Sequence, residues 1–195
     1  PSCSKAAARV LSAAERATRM IRDLLDFTQA RMGGGIPVHA APCDFHALTL
    51  QVVEEARTAH PERTLQMEQV GDGQGSWDSD RMAQVLSNIL GNALKYSPED
   101  TPVRVESRGE PDAIVVHVRN GGDPIPPEML PRIFEPLQRG TTVGRSERSI
   151  GLGLYIVRQL VLAHGGTVDA RSSAAEGTVF TVRLPRSFTR DTVSP

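Results

Sequence analysis

Three polar side chains recur along one predicted helix in a pattern that suits a metal and phosphate groups. Asn88, Asn92 and Lys95 are spaced four and three residues apart, so an α-helix places them on one face. Asparagine is a poor residue inside a helix because its side chain competes for backbone hydrogen bonds. A carboxamide oxygen can ligate Mg²⁺ without cancelling its charge, and the lysine adds a positive charge for phosphates. The alternative is a solvated helix face.

A second polar segment follows the end of a predicted strand. Asn120-Gly121-Gly122-Asp123-Pro124-Ile125-Pro126 comes directly after a strand that is predicted to end near Arg119. A polar side chain at a strand end, followed by glycines, lets the backbone come close to a flat ligand. Taken alone, glycine and proline after a strand indicate only a turn.

Two further glycine segments also have more than one interpretation. Ser149-Ile150-Gly151-Leu152-Gly153-Leu154 opens an apolar helix, and amides at a helix N-terminus that carry no covering side chains form an anion site. The same segment, in isolation, equally fits a tight loop before a buried helix. By itself, Glu176-Gly177-Thr178-Val179-Phe180 indicates a turn into a strand.

The elements that must position these segments follow from the hydrophobic periodicity. The pattern alternates between helix and strand and predicts a two-layer α/β domain. From Pro136 to Ser149 the composition turns to Gly, Thr, Ser and Arg, which predicts a mobile loop with a function. The predicted helices are 45–59, 80–96 and 151–164, and the predicted strands are 64–69, 103–107, 113–119, 167–172 and 178–184.

A long helix is predicted before this domain. No Gly or Pro occurs from Ser4 to Arg31, and one face carries a heptad seam. Gly33-Gly34-Gly35 then ends the helix and hinges the chain. The alternative is a helix docked on its own domain. The seam residues are Val10, Ala14, Ala17, Ile21, Leu24 and Thr28.

Composition and charge argue against several classes of function. The 195 residues are 39% apolar and 23% charged, as in ordinary globular proteins, and their net charge is −1. There is no basic stripe for nucleic acid and no polybasic run for a membrane surface. No apolar run approaches the ~20 residues of a membrane-spanning helix. Cys3 and Cys43 are too few for a disulfide framework, so a cytoplasmic location is expected, with any membrane-bound receptor segment outside this chain.

Together these segments resemble, in order and spacing, the nucleotide site of the sensor histidine kinase family. The wider superfamily includes DNA gyrase, the heat-shock chaperone ATPases and the mismatch-repair ATPases. Residues 88–97 resemble the asparagine box, 120–125 the first glycine box and 133–137 the phenylalanine box. Residues 151–154 and 177–178 resemble the second and third glycine boxes. The implied fold is of the Bergerat type, a two-layer sandwich of a mixed β-sheet and helices, preceded by the long heptad helix.

Residues 20–27 also resemble the second helix of the family's dimerisation hairpin. This implies a dimerisation helix at 1–32, a hinge at 33–37, an ATP-binding catalytic domain at 38–186 and a C-terminal tail at 187–195. The implied partners are a second copy of the chain, through the N-terminal helix, and a response regulator of a two-component phosphorelay. None of the five histidines, the first being His39, sits in an acceptor motif. The acceptor histidine is therefore expected on a preceding helix outside this chain.

The resemblance implies roles for the site residues, with ATP and Mg²⁺ as ligands. Asn92 would hold Mg²⁺, Asn88 would support the metal and phosphates, and Lys95 would contact phosphate. Arg139 stands where the family has a lid arginine that reaches the terminal phosphate, so Asn88, Lys95 and Arg139 are the predicted catalytic residues. The further predicted nucleotide contacts are Tyr96, Asn120, Gly122, Ile125, Phe134, Gly151, Leu152, Gly153, Leu154 and Thr178.

The sequence departs from the family pattern inside two glycine boxes. Asn120 stands where the family usually has an aspartate that accepts a hydrogen bond from the adenine amino group. The carboxamide oxygen of Asn120 can accept the same hydrogen bond, but without charge assistance the bond is expected to be weaker. Pro124 and Ser149 replace one glycine each and stiffen the two turns.

Two other functions fit part of this pattern. An ATP hydrolase of the same fold, like gyrase, has a glutamate where Asn88 stands, and an asparagine cannot act as general base for water. A nucleotide-insensitive interaction module would use the same pocket only as a scaffold. A nucleotide-binding titration separates this module from both enzymes.

Overall fold

The computed structural model describes residues 2–32, 35–138 and 151–187. The predicted helices and strands are confirmed, with ends shifted by at most a few residues. None of the described helices is long and apolar enough to cross a membrane. The helices are α1 Ser2–Arg31, α2 Phe45–Ala59, α3 Ser79–Tyr96 and α4 Gly153–Ala163, with a short 3-10 turn at Leu130–Arg132. The strands are β1 Ala41–Asp44, β2 Leu65–Val70, β3 Gln74–Trp77, β4 Val103–Gly109, β5 Ala113–Asn120, β6 Thr167–Ser173 and β7 Gly177–Pro185.

The main sheet has five strands in the order β2-β4-β5-β7-β6. The pair β2–β4 is parallel and the other three pairs are antiparallel, so the sheet is mixed. Alternate residues of β4 and β7 and most residues of β5 are buried, and apolar residues of these strands form one core with apolar residues of α2, α3 and α4. This is the expected two-layer sandwich of a mixed β-sheet and helices.

A two-stranded sheet of β1 and β3 was not predicted from the sequence. Both strands have only four residues, and β1 contains Pro42, so neither has an apolar alternation to reveal it. Tertiary contacts hold the sheet in place. Trp77 packs edge-on against Phe45 at 5.1 Å between ring centroids and donates from Nε1 to the Pro185 carbonyl at 2.8 Å.

Aspartate caps set the starts of α2 and α3. Asp44 accepts from the backbone N–H of His46 at 2.9 Å, and Asp78 accepts from that of Arg81 at 3.2 Å. The start of α4 lies two residues after the predicted one. Gly151 has φ 75°, which a right-handed helix cannot include, so the helix begins at Gly153.

The C-terminal end of α1 packs against the α/β layer. Phe27 contacts Tyr155 of α4 edge-on, with ring centroids 5.6 Å apart, and Asp26 is buried against α3. Nearer the N-terminus of the same helix, Ile21 and Leu24 of the heptad seam are 62% and 52% exposed. The predicted bundle and the boundary at 32 therefore stay predictions, while the last turns of α1 belong to the packed structure.

Candidate functional site

The two asparagines lie on α3 where its buried stripe meets solvent. The stripe includes Val85, Ile89 and Ala93, whereas Asn88 and Asn92 are half-buried and Lys95 is exposed. This division follows from the helical period, because core residues and carboxamides occupy adjacent faces. The polar face is therefore the border of the core.

The second glycine segment lies directly opposite Asn88. Asn88 Nδ2 is 3.5 Å from the Gly153 carbonyl oxygen, and a Cβ at Gly153 would sit 3.7 Å from Asn88 Cγ. Among the described residues, no side chain caps the first turn of α4. The asparagine face and an uncapped helix N-terminus thus share one wall of the site, as a binding surface for phosphates requires.

Gly151 makes the turn into this helix possible. A Cβ at this position, with its positive φ, would sit 2.6 Å from the Gln138 carbonyl oxygen. The Gly151 carbonyl accepts from the Leu137 backbone N–H at 3.0 Å. The end of the phenylalanine-box segment and the start of α4 are therefore held together. Arg139, which was predicted to reach the terminal phosphate, lies outside the described residues.

Asn120 lies at the opposite end of the site, on the last residue of β5. It is only 4% exposed, and Nδ2 donates to the Gly121 carbonyl at 2.7 Å. Because Nδ2 makes that bond, Oδ1 is the carboxamide atom that points away from the Gly121 carbonyl. Among the described residues, none donates a hydrogen bond to Oδ1. The side chain therefore carries an acceptor without a described donor, and the resemblance assigns this acceptor to the base.

Thr178 stands beside Asn120, since the two residues are paired directly across β5 and β7. Its hydroxyl lies 2.7 Å from that of Ser172, and Ser172 Oγ accepts from the Ile125 backbone N–H at 2.9 Å. Ser172 was not among the predicted site residues. The available signal was a hydroxyl on the inward face of β6, in alternation with Val168 and Ala170.

The loop after Asn120 contacts the C-terminal end of α3. A Cβ at Gly122, whose φ is 115°, would sit 2.6 Å from the Tyr96 carbonyl oxygen, so only glycine fits there. Lys95 Nζ lies 5.0 Å from the Tyr96 ring centroid. Asn120, Gly122 and the end of the asparagine helix are thus adjacent, although they are distant in sequence.

Other predicted contacts point into the core. Phe134 is buried and packs edge-on against Phe180 at 6.4 Å between centroids. Leu152 is buried, so it can offer a ligand only its backbone, while Leu154 packs at the edge of the core. These side chains hold the wall of the site in place.

The profile of the family described as histidine kinase-, DNA gyrase B- and HSP90-like ATPase matches residues 77–187. The chain belongs to this ATPase family. It is 35% identical over 182 residues to the probable sensor histidine kinase TcrY of Mycobacterium tuberculosis, covering 92% of this chain and 38% of TcrY. It is 32% identical to the alginate biosynthesis sensor protein KinB of Pseudomonas aeruginosa, covering 87% of this chain and 28% of KinB. The chain thus spans well under half the length of these relatives.

Solved structures give the same family relationship for the ATPase domain. The mycobacterial sensor histidine kinase MprB matches with TM-score 0.67 and 29% identity over 74% of this chain and 97% of that one. Full-length ShkA in complex with AMPPNP matches with TM-score 0.72 and 26% identity over 91% of this chain and 37% of that one.

The donors of this ATPase-family site suit a nucleotide with its cation. The described residues contain no group of three or more His, Cys, Asp and Glu side chains placed to hold a metal. The carboxamide oxygens of α3 could hold a cation such as Mg²⁺ together with phosphate oxygens. The uncapped α4 N-terminus offers amides to the phosphates.

Proposed function

We propose that this chain is the catalytic part of a sensor histidine kinase, which transfers the γ-phosphoryl group of ATP to a histidine outside these residues. A response-regulator aspartate then receives the group. The observation that carries the proposal is the juxtaposition of the Asn88 carboxamide with the uncapped start of α4, with the Asn120–Thr178 pair at the other end of the site. The TcrY and MprB names support the kinase assignment.

At the phosphate end, each polar group has a role that fits its position. Asn92 would supply a carboxamide oxygen to Mg²⁺, and the bound metal would neutralise phosphate charge. Asn88 bridges α3 to the first turn of α4 and holds the wall at its observed spacing. Lys95 and the proposed lid residue Arg139 add positive charge, and the amides near Gly153 hold phosphate oxygens. Catalysis in this arrangement is positioning and charge stabilisation.

At the base end, Asn120 Oδ1 accepts a hydrogen bond from the adenine amino group, and Thr178 lies beside Asn120. Ile125 and Leu154 border this end, and Tyr96, on the exposed end of α3, contacts the sugar or base. The bond from Asn120 is neutral, so we expect modest affinity for ATP.

At least two of the five histidines are engaged by the fold, and the exposed His39 and His60 lie outside any acceptor motif. His164 is buried, and its Nδ1 and Nε2 lie 2.8 Å from the Leu160 carbonyl oxygen and 3.2 Å from the Asp78 nitrogen. His46 Nδ1 is engaged with the Ser107 hydroxyl at 2.8 Å. A neutral imidazole with a free nitrogen is the nucleophile that this transfer needs. We propose that it lies on the partner helix of the hairpin to which α1 belongs.

The rival functions make different demands of the same residues. Hydrolysis needs a general base for water, and Asn88 cannot supply one. An interaction module without nucleotide has no use for an anchored acceptor such as Asn120 at one end of the site and an uncapped helix at the other.

Transfer of label from γ-labelled ATP tests the proposal. The chain is incubated with Mg²⁺-ATP alone and with a hairpin peptide that carries an acceptor histidine. We expect acid-labile, base-stable label on the peptide only. Asn92→Ala should abolish transfer, whereas Ser87→Ala, an exposed change on the same helix, should not. Phosphate release without peptide labelling would favour the hydrolase, and absence of ATP binding would favour the interaction module. Label on one of the chain's own histidines would place the acceptor inside it.

A further inference from the structure

Ser172 connects three parts of the candidate base site. Its Oγ accepts from the Ile125 backbone N–H at 2.9 Å and lies 2.7 Å from the Thr178 hydroxyl. Thr178 is 5% exposed and is paired across the sheet with Asn120. We call this chain of groups the Ile125–Ser172–Thr178 relay.

The direction of the relay follows from counting donors and acceptors. A backbone N–H can only donate, so Ser172 Oγ must accept from Ile125. If the Ser172 hydroxyl then donates to Thr178 Oγ1, the Thr178 proton is free to point at a ligand. If Thr178 donates instead, the Ser172 proton has no acceptor among the described residues. A ligand with an acceptor in reach of Thr178 therefore satisfies every group of the relay.

Adenine meets this condition and guanine does not. Adenine carries an amino group next to the acceptor nitrogen N1, whereas guanine carries a carbonyl oxygen next to a protonated N1. The free acceptor Oδ1 of Asn120 suits the amino group, and a donating Thr178 suits N1. With guanine, Oδ1 would face an oxygen and the relay would be left with an unpaired proton, which is costly at a buried site.

We propose that Ser172 is a positioning residue that directs the Thr178 hydroxyl proton toward the base and so favours a purine with an unprotonated N1. The inference rests on the proposed ATP site, but it concerns a residue outside the five boxes.

Binding of ATP and of 1-deaza-ATP, in which a C–H group replaces N1, tests the role of Ser172. Dissociation constants are measured for the unmodified chain and for Ser172→Ala and Ser172→Thr. The alanine variant should weaken ATP binding by roughly fivefold, the value of one neutral hydrogen bond, and leave 1-deaza-ATP binding unchanged. The threonine variant keeps the hydroxyl and should restore the preference for ATP. A Thr167→Ala variant, which alters an exposed residue of the same strand, should behave as the unmodified chain.

Equal weakening of both nucleotides by Ser172→Ala would mean that the hydroxyl only supports the loop, and would overturn the inference. An unchanged ratio between the dissociation constants of ATP and 1-deaza-ATP would also overturn the inference. If the alanine variant is unstable, Ser172→Cys, of similar size with a weak hydrogen-bonding thiol, should give the same selective loss. A chain that binds neither nucleotide would overturn the proposed function and this inference together, whereas ATP binding with no Ser172 effect overturns the inference alone.

Discussion

Asp26 of α1 accepts two hydrogen bonds from Nη1 of Arg81 of α3, at 2.9 and 3.1 Å, although Asp26 is only 2% exposed. Gln84 Nε2 donates to the same carboxylate at 2.7 Å. The long helix is therefore tied to the helix that carries Asn88 and Asn92. The sequence predicted a glycine hinge at 33–37 between the long helix and the α/β domain. The contact between Asp26 and Arg81 lies before that hinge in the chain and couples the helix to the domain.

Removing the Asp26 carboxylate should destabilise the fold. Asp26→Ala leaves the Arg81 charge without its partner, and because Arg81 is partly exposed we expect a loss of about 2 kcal/mol in the free energy of unfolding. Urea denaturation measures this loss in the free energy of unfolding. Asp100→Ala, a change in an exposed turn, is the control. Replacing both partners, as Asp26→Leu with Arg81→Met, should recover most of the loss. An unaffected midpoint in Asp26→Ala would mean that α1 does not dock in solution.

Asn92→Ala should lower affinity for ATP chiefly when Mg²⁺ is present, because its carboxamide oxygen is the proposed metal ligand. Calorimetric titration with Mg²⁺ and with a chelator measures the difference. Ser87→Ala, exposed on the same helix, is the matched control. Equal losses under both conditions would remove the metal role from Asn92.

Asn120→Asp should tighten adenine nucleotides relative to guanine nucleotides by about 1 kcal/mol, since a neutral bond becomes charge-assisted. The structure adds a cost. Nδ2 of Asn120 donates to the Gly121 carbonyl at 2.7 Å, and an aspartate would set an oxygen against that carbonyl. The nucleotide-free variant should therefore unfold about 1 kcal/mol more easily. Unchanged adenine preference in competition titrations would show that this side chain does not face the base.

The apolar periodicity predicted the main fold because each long element has one buried face. The partners of single polar groups were not predictable in this way. Gln84 lies one turn before Asn88 on the same polar face of α3, yet Gln84 bonds to Asp26 while Asn88 faces Gly153. Which of two similar carboxamides faces the site depends on where α1 and α4 cross α3, and that crossing leaves no local pattern.

Ser172 was missed for a related reason. A serine near a strand end usually indicates a turn, and its meaning here comes from Ile125 and Thr178, which reach it from two other segments. By contrast, Asn120, Gly122 and Gly151 could be singled out as predicted site residues, because a polar residue at a strand end and nearby glycines are local sequence features. The structure shows that Asn120 is buried and that both glycines have positive φ.

Replacing Ile21 and Leu24 by Glu should weaken self-association while leaving ATP affinity nearly unchanged. Both side chains are exposed on α1, at 62% and 52%, and lie on the predicted seam, so charge there opposes helix pairing. Analytical ultracentrifugation measures the association, and Arg22→Glu, an exposed change off the seam, is the control. Equal association of both variants would place the dimer interface elsewhere.

His164 should make stability fall as the solution becomes acidic. Burial lowers the pKa of His164 from its ordinary value of 6.5, against opposing effects of the Leu160 carbonyl and Asp78, which raise it. The neutral ring fits its neighbours, because Nδ1 can donate to the Leu160 carbonyl while Nε2 accepts from the Asp78 backbone N–H.

The sign of the effect follows from proton linkage. His164 takes up a proton near pH 6.5 in the unfolded chain and only at lower pH in the folded chain. The contribution of the neutral His164 to the free energy of unfolding is therefore fully present above the unfolded pKa. It is lost as the pH falls from there toward the folded pKa, with a slope of at most about 1.4 kcal/mol per pH unit. Urea titrations from neutral to mildly acidic pH measure this slope. In His164→Gln the slope should shrink while stability at neutral pH drops, whereas the exposed His39→Gln variant should keep the slope of the unmodified chain. If His164→Gln retains the full slope, the acid sensitivity arises from other groups and the buried imidazole is not its source.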